Sequence, residues 1–430
     1  MKKLLIFIFV LSCLAGMAQD NPVPAPAQSK SILIMNPIVH IGNGEKLENG
    51  VVGLKDGKIV LVADARTVRI NMAEYDTVIQ AAGMHLYPGF IAANSTLGLH
   101  ETDAVRAQND VAEVGTFKPS VRSVIAYNTD SEIIPTVRSN GVLMGQICPR
   151  GGVISGTSSV MQFDAWNWED AIIKEDEGVQ LNWPQVYHRH YDKGKIAIEK
   201  VKTYDQQLAE IQTFFSEAKA YAQVTKPAII EVQFEGLRGV FDGSKTLYVH
   251  ADDIKAIKEA LRFKENMGIP KMVIVGGYDA HMITEELKRL DVGVMLFRVH
   301  SLPQLTDEDV DLPFKEAKML FDAGVKFCIQ NEGDMERMGT RNLPFQAGTT
   351  VAFGLPYEEA VKAISLGAAQ LLGIDSTTGS VEVGKDATIF ISTGDALDMR
   401  TNNVIMAFIQ GRNIDLNNKQ KNLYERYKAR

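Results

Sequence analysis

The sequence predicts an α/β protein in which a TIM-type (β/α)8 barrel is inserted into a small, split β-sandwich domain. First, apolar strand-like runs alternate with helical stretches from residue 86 to residue 376. Second, short strands of alternating apolar and polar residues, separated by tight turns, lie near both ends of the chain. Third, no glycine-rich dinucleotide motif follows the first central strand, which disfavours an open, doubly wound sheet.

The composition is that of a large folded protein. The chain has 430 residues, of which 45% are hydrophobic, and this excludes a disordered or fibrous class. Its formal net charge of -8 disfavours nucleic acid and anionic membranes as partners. The sequence leaves open whether the chain forms a homo-oligomer.

The N-terminus has the features of a secretory signal. A basic start and an apolar run precede Gly16 and Ala18, small residues at the -3 and -1 positions of a cleavage site after residue 18. The apolar run is too short for a bilayer span of about 20 residues. We therefore expect an exported, periplasmic protein without a membrane span. A lipid anchor at Cys13 is a second, less favoured interpretation because the preceding residues fit a lipidation motif poorly.

Turn motifs and alternating strands define the predicted domain boundaries. Tight turns separate the early strands, at Gly-Asn-Gly, Glu-Asn-Gly and Lys-Asp-Gly. The same pattern of short alternating strands and turns recurs downstream in GSVEVGKDATIFISTG and NNVIMAFIQGRNI. The predicted segments are a signal peptide (1–18), a linker (19–30), the N-terminal portion of the β-sandwich (31–85), the barrel (86–376), the C-terminal portion of the β-sandwich (377–416) and a C-terminal tail (417–430).

The central strands are apolar on both faces, as buried parallel strands are. The predicted strands are GVLMGQICP, KTLYVHA, KMVIVGGYDA, VGVMLFRVHS and VKFCIQNEGD, and the predicted helices are Asp252–Asn266, His281–Leu290, Pro313–Ala323 and Tyr357–Leu372. Active residues should lie where these strands end. Cys148 and Cys328 fall inside such strands, so we expect two buried, unpaired thiols.

Several stretches resemble the amidohydrolase superfamily, in particular its imidazolonepropionase-like branch. They are LYPGFIAANSTLGL, TLYVHA, GVKFCIQNEGD, RNLPFQAGTTVAFGLPYEEAVKAISLGAAQLLGI and GSVEVGKDATIFI, which together span nearly the whole mature chain. The resemblance implies a site at the C-terminal ends of the barrel strands that holds one or two divalent metals, commonly zinc. In that chemistry the metal lowers the pKa of its bound water from about 15.7 to about 7 and polarises the scissile carbonyl.

Most positions that hold metal ligands in the family carry other residues here. The family's first strand ends Pro-Gly-(Phe/Leu)-Ile-Asp-x-His-x-His, whereas this chain has Ala92, Asn94 and Thr96 in place of the aspartate and the two histidines. His250, at the end of TLYVHA, matches a family ligand. Gly276 occupies the position of the ligand histidine on strand six.

The last strand retains a carboxylate, which aligns best as Glu332, with Asp334 as the alternative register. Because a catalytic zinc usually needs three protein ligands, the inherited site is predicted to be weak or empty. A substitute zinc set of His250, His300 and Glu332 is a second hypothesis, since two histidines and a carboxylate from neighbouring strands are suitable ligands.

Two functions follow. The first is an amidohydrolase-like hydrolase of non-peptide carbon–nitrogen bonds, with His250 as ligand or acid/base and Glu332 as proton shuttle. The second is a pseudoenzyme that binds a small molecule through Asn94, Thr96, His250 and Arg341. The predicted substrate pocket comprises Asn94, Thr96, Gly276, Asp334 and Arg341.

Two further motifs are weaker. His188 and His190 form an H-x-H pattern that, without a buried strand before it, predicts a polar loop with no role at a metal. The glycine-rich segment 147–159 includes Arg150 and could form an anion-binding nest or simply a tight crossing between strands.

Overall fold

The computed structural model describes residues 22–102, 105–192, 195–333, 335–428 and 430. The predicted signal segment, with Cys13, lies outside these ranges. Within them, we find no helix with the length and apolar character needed to cross a membrane.

The described residues form strands and helices in the alternating order expected for the central region. The strands are β1 Ile32–Met35, β2 Ile38–His40, β3 Lys46–Leu47, β4 Gly50–Lys55, β5 Lys58–Asp64, β6 Thr77–Gln80, β7 His85–Pro88, β8 Phe90–Ser95, β9 Val142–Ile147, β10 Ile154–Gln162, β11 Ile172–Asn182, β12 Tyr187–Asp192, β13 Lys195–Lys200, β14 Thr246–Ala251, β15 Met272–Gly276, β16 Gly293–Leu296, β17 Phe327–Ile329, β18 Ile389–Ser392, β19 Val404–Ile409 and β20 Arg412–Asn413. The helices are α1 Ile134–Arg138, α2 Trp168–Ala171, α3 Tyr204–Ala222, α4 Val232–Asp242, α5 Ile254–Met267, α6 Thr284–Arg289, α7 Leu312–Ala323, α8 Glu336–Gly339, α9 Leu343–Ala352, α10 Tyr357–Ala363, α11 Leu366–Leu372 and α12 Lys419–Tyr427.

Local signals set the helix ends. The Asp253 side chain accepts a hydrogen bond from the backbone N–H of Lys255 at 2.8 Å, which caps α5, and Gly268 ends this helix in the left-handed conformation. The single helix expected over Tyr357–Leu372 is instead two helices, α10 and α11, which meet at Ser365.

Eight strands form a nearly closed barrel in the order β17-β16-β15-β14-β11-β10-β9-β8. This confirms the predicted barrel, with one exception in strand direction. β10 runs antiparallel to both β9 and β11, whereas the other neighbours are parallel. The loops that flank β10 are too short for the crossover that parallel neighbours require, so the chain turns back on itself there.

The barrel interior is apolar at one end and polar at the other. Inward-facing side chains such as Ile91, Val160 and Met295 pack with α11 and form the apolar end. Outward-facing side chains of the same strands pack against the surrounding helices in a separate core. Polar side chains replace the apolar ones toward the C-terminal ends of the parallel strands, where the barrel opens.

Strands from both ends of the chain form a β-rich domain, as predicted. A four-stranded sheet has the order β5-β4-β1-β6, and a six-stranded sheet has the order β20-β19-β18-β7-β2-β3. β18 pairs with β7, so that Ile389 lies opposite Pro88. The domain is therefore assembled from segments on either side of the barrel.

A buried ion pair links the barrel to this domain. Asp164 follows β10, its side chain is 1% exposed, and it accepts hydrogen bonds from Arg138 at 2.5 Å and Arg412 at 2.9 Å. It also accepts the backbone N–H of Ala25 at 2.9 Å. One carboxylate thus joins the N-terminal segment, the barrel and β20.

Cys148 and Cys328 are both buried and unpaired, as predicted. Cys328 lies in β17 and packs with Ile91 and Met295 in the barrel interior, and Cys148 directly follows β9. Burial raises the pKa of both thiols, so neither has the thiolate character of a nucleophile.

Candidate active site

The mouth of the barrel is built from side chains at the ends of its strands. Asn94 is the penultimate residue of β8, Gln146 lies near the end of β9, and His250 lies near the end of β14. Glu332 follows β17. Because parallel strands end at the same edge, these residues converge although they are far apart in sequence.

His250 and Glu332 face each other across this mouth. The Nδ1 atom of His250 lies 3.8 Å from Oε1 of Glu332, and their side chains are 14% and 32% exposed. The separation exceeds a direct hydrogen bond but allows one to form after a small movement or through a water molecule. The structure thus places these two predicted site residues side by side.

The surroundings of Glu332 favour its charged form. Burial acts to raise the pKa of this carboxyl, but the facing His250, the charge of Arg150 and the hydrogen bond from Gln330 outweigh burial and lower the pKa to about 2. Glu332 is therefore a carboxylate at neutral pH and a weak proton acceptor.

A chain of hydrogen bonds inside the barrel fixes the proton on His250. Ser158 donates to Oε1 of the buried Glu177 at 2.6 Å, so its oxygen accepts the amide N–H of Gln180 at 2.9 Å. The side-chain amide oxygen of Gln180, Oε1, then faces Nε2 of His250 at 2.9 Å. Nε2 must carry a proton, and Nδ1 is left to face Glu332 and the solvent.

Glu177 anchors this chain in the barrel interior. It accepts hydrogen bonds from Tyr248 at 2.7 Å and from Gln146 at 2.8 Å. Burial raises the pKa of the Glu177 carboxyl, while the hydrogen bonds from Ser158, Tyr248 and Gln146 act in the opposite direction. The sequence contains little indication of this network, because its members lie singly within apolar strands.

Asn94 connects Glu332 to an arginine. Its Nδ2 donates to Oε2 of Glu332 at 3.0 Å, and its backbone N–H donates to Gln146 at 3.0 Å. Arg150 donates to both oxygens of Asn94, to Oδ1 at 2.9 Å and to the backbone carbonyl at 2.8 Å. Asn94 has a φ of 51°, a left-handed conformation that asparagine adopts more readily than most residues.

A second carboxylate, Glu336, lies beside this group. It accepts hydrogen bonds from the hydroxyls of Ser95 at 2.7 Å and Thr96 at 2.5 Å, and from the backbone N–H of Thr96 at 3.0 Å. These bonds hold the loop after β8 against α8. Glu336 was not predicted as a site residue.

The mouth opens into a cavity of about 570 Å³. Its lining includes His250, Glu332, Gly276, Asp252, Trp183 and Phe297. A second recess of about 340 Å³ shares Glu332 and Gly333 with it and is lined by Thr96, Arg150 and Glu336. The main cavity has the size of a small-molecule pocket.

Two of the predicted pocket residues lie at these openings and one does not. Gly276 lines the main cavity, and Thr96 lines the second recess. Arg341 lines a different depression, beside Glu101 and Lys419, and neither of the two openings at the mouth. The short segment 340–342 that includes it contacts α1. Asp334 lies outside the described residues.

The predicted zinc set is not brought together. His300 bonds through Nε2 to the hydroxyl of Thr349 at 2.7 Å and is absent from the lining of the main cavity. Burial and the charge of Arg298 lower the pKa of His300. Within the described ranges, no group of three or more His, Cys, Asp or Glu side chains could hold a metal ion.

The residues at the mouth also fit a divalent metal poorly. At the predicted first-strand ligand positions, the side chains of Asn94 and Thr96 are engaged with Arg150, Glu332 and Glu336. Asn94 directs an N–H group at Glu332, and an N–H group cannot coordinate a cation that Glu332 would share. Of the zinc set predicted from the sequence, His250 and Glu332 lie together here, which is fewer ligands than a catalytic zinc requires.

His188 lies on β12, which forms a hairpin with β13 rather than the predicted polar loop. The residue lines both the main cavity and a neighbouring recess. The side chain of His190 lies outside the described residues.

We predict that Gly276→Ala destabilises the mouth. Gly276 has a φ of 89°, and a Cβ atom there would lie 2.2 Å from Oδ1 of Asp252. Chemical unfolding should show a loss of about 1–3 kcal/mol. Gly384→Ala is the matched control, since φ is 92° but no atom of the described residues lies within 4 Å. Equal losses in both variants would show that backbone strain alone, and not the contact with Asp252, is responsible.

Comparisons with known proteins agree with this architecture. Residues 315–414 match the model of the amidohydrolase family. An amidohydrolase from Thermotoga maritima MSB8 is 22% identical with a TM-score of 0.75, and the alignment covers 89% of this chain and 99% of that one. No curated protein sequence matches the chain.

Two other solved structures share the fold at lower similarity. A prolidase complexed with N-methylphosphonate-L-proline is 15% identical, with a TM-score of 0.53 over 90% of this chain and 99% of that one. The A. niger ochratoxinase is 13% identical, with a TM-score of 0.52 over 89% of this chain and 95% of that one. The resemblance to amidohydrolases is confirmed, and the imidazolonepropionase-like branch stays a prediction.

Proposed function

We propose that this chain, which has the amidohydrolase fold and matches that family over residues 315–414, is a hydrolase of non-peptide carbon–nitrogen bonds in a small molecule. The inherited metal centre is eroded. The observation that carries the proposal is the His250–Glu332 pair at the wall of a cavity of about 570 Å³. We also propose export to the periplasm, on the evidence of the N-terminal sequence.

In this proposal His250 moves the proton. The oxygen of a water molecule bonds to the scissile carbon, the carbon–nitrogen bond breaks, and one proton passes from the water to the leaving nitrogen through Nδ1 of His250. Gln180 holds the other ring nitrogen at 2.9 Å, so the ring is oriented for this exchange. Because its pKa is about 2, Glu332 contributes negative charge that stabilises the imidazolium rather than acting as the proton acceptor.

The cavity lining supports a compact, partly apolar substrate. Trp183 and Phe297 offer aromatic surface, and Val275 adds an aliphatic patch. Polar side chains, among them Asn182, Asp252 and Gln304, line the rest of the cavity and could orient a small molecule by hydrogen bonds. Trp183 is itself held by the hydroxyl of Tyr204 at 3.3 Å, which fixes its ring.

The test is a hydrolysis panel of cyclic ureides, lactams and dipeptides. We expect turnover of a ureide or lactam, and Glu332→Gln should lower kcat by about tenfold or more with a smaller effect on KM, because the imidazolium loses its counter-charge. Glu285→Gln, an exposed residue of α6, is the matched control and should keep full activity. Saturable binding of panel members without turnover would overturn the hydrolase proposal and favour a binding protein.

A further inference from the structure

We propose that Arg150 supplies the positive charge that a divalent metal supplies in related barrels, and that it acts as a positioning residue for Asn94 and Glu332. The guanidinium is part of the folded chain and keeps its charge at every physiological pH. The site would then be complete without a bound ion. The zinc-binding experiments that test this role are independent of the proposed function, and only the kinetic experiment rests on it.

The hydrogen bonds of Arg150 define this role. Two nitrogens of its guanidinium reach the same residue, Nη1 to Oδ1 of Asn94 at 2.9 Å and Nη2 to its backbone oxygen at 2.8 Å. This pair of hydrogen bonds stabilises the left-handed backbone conformation of Asn94 and fixes the orientation of its side-chain amide. The amide N–H is consequently aimed at Glu332, at 3.0 Å. Arginine suits this task because its planar fork can bond two acceptors at once.

The same hydrogen bonds occupy the oxygen atoms that could otherwise coordinate a metal ion. Both oxygens of Asn94 accept from Arg150, and one oxygen of Glu332 accepts from Asn94. The second oxygen of Glu332 faces His250. A divalent cation entering here would have to displace the guanidinium and would meet its charge at short range, which is strongly unfavourable in a poorly hydrated mouth.

The charges of the mouth are consistent with a built-in cation. Glu332 and Glu336 line the same recess as Arg150, and Glu336 is satisfied by the hydroxyls of Ser95 and Thr96. Among the described residues, Glu332 has no comparable set of hydroxyl donors. It depends on the facing His250, on hydrogen bonds from Asn94 and Gln330, and on the nearby positive charge of Arg150.

Zinc binding by engineered variants tests the proposal without an activity assay. Asn94→His introduces a third ligand beside His250 and Glu332, and histidine tolerates a left-handed φ better than most residues. We expect Asn94→His to bind zinc weakly while Arg150 is present. Asn94→His combined with Arg150→Ala should bind zinc at least about tenfold more tightly, since three protein ligands are then free of the guanidinium.

The full-length wild-type protein supplies the second readout. After dialysis against zinc and then against metal-free buffer, it should retain far less than one zinc ion per chain at the mouth. His250→Ala measures zinc held elsewhere. Retention of about one ion per chain that His250→Ala abolishes would overturn the proposal, as would equal zinc affinity of the Asn94→His variant with and without Arg150.

Kinetic rescue separates a charge from a merely structural role. With a substrate from the panel, Arg150→Ala should lose most of its turnover, and added guanidinium should restore it about tenfold while sodium chloride of equal ionic strength does not. Arg150→Lys keeps the charge without the fork and should retain part of kcat. Restoration of Arg150→Ala by zinc instead of guanidinium would contradict the proposal. If no substrate in the panel is hydrolysed, only this kinetic experiment is lost, because the zinc measurements do not depend on activity.

Discussion

His250→Ala is expected to lower kcat by about 10²-fold or more, the usual loss when a proton-transferring side chain is removed. The imidazole is the titratable group between the buried Gln180–Ser158 chain and Glu332. Alanine removes the imidazole that faces Glu332 across the mouth. Steady-state kinetics at several pH values would measure the loss.

His300→Ala is the matched control for that variant. His300 bonds to Thr349 and lies outside the lining of the cavity, so its removal should leave turnover close to that of the wild type. If His300→Ala lost activity as severely as His250→Ala, the zinc set inferred from sequence would regain support. Unchanged turnover of His250→Ala would rule out the proton-transfer role.

Asp164→Ala is expected to reduce the free energy of unfolding by about 3–5 kcal/mol, because it leaves a buried arginine without its counter-charge. Asp164 and Arg138 have side chains that are 1% and 3% exposed. The variant also removes the acceptor for Arg412 and for the backbone N–H of Ala25. Urea unfolding followed by circular dichroism would measure the change.

Glu265→Ala removes one partner of an exposed pair with Arg289 and should change stability far less, since solvent screens such pairs. A comparable loss in both variants would show that the link between barrel and β-rich domain is not dominated by Asp164. Asp164→Asn should give an intermediate result, because it keeps the shape and one acceptor oxygen but removes the charge.

The strands and the central pair were predictable because their signals are local or positional. Apolar runs marked the buried strands, and strand ends in a barrel share one edge, so His250 and Glu332 could be expected to meet. β10 was not among the predicted strands, because its sequence ISGTSSVMQ is mostly polar, and its direction was therefore not predictable either. The antiparallel direction of β10 follows from the short loops on either side of it. Elsewhere in the barrel strands and helices alternate regularly, so this exception was not expected.

Arg150 and Arg341 show where sequence reasoning failed. Arg150 lies in a glycine-rich segment that suggested an anion nest, and nothing local indicated that its partner would be Asn94. Arg341 was assigned to the substrate pocket through its place in a family-like stretch, whereas it lines a separate depression beside Glu101 and Lys419. The positions of both arginines depend on tertiary contacts between residues that are distant in the sequence.

The pairing of β18 with β7 has a consequence for how the chain is made. During synthesis the strand that includes Pro88 leaves the ribosome long before its neighbour at Ile389 exists. Until then its free edge can recruit other extended segments, which is the usual route to aggregation. The nascent chain must therefore be kept from premature association until its last sheet strands emerge.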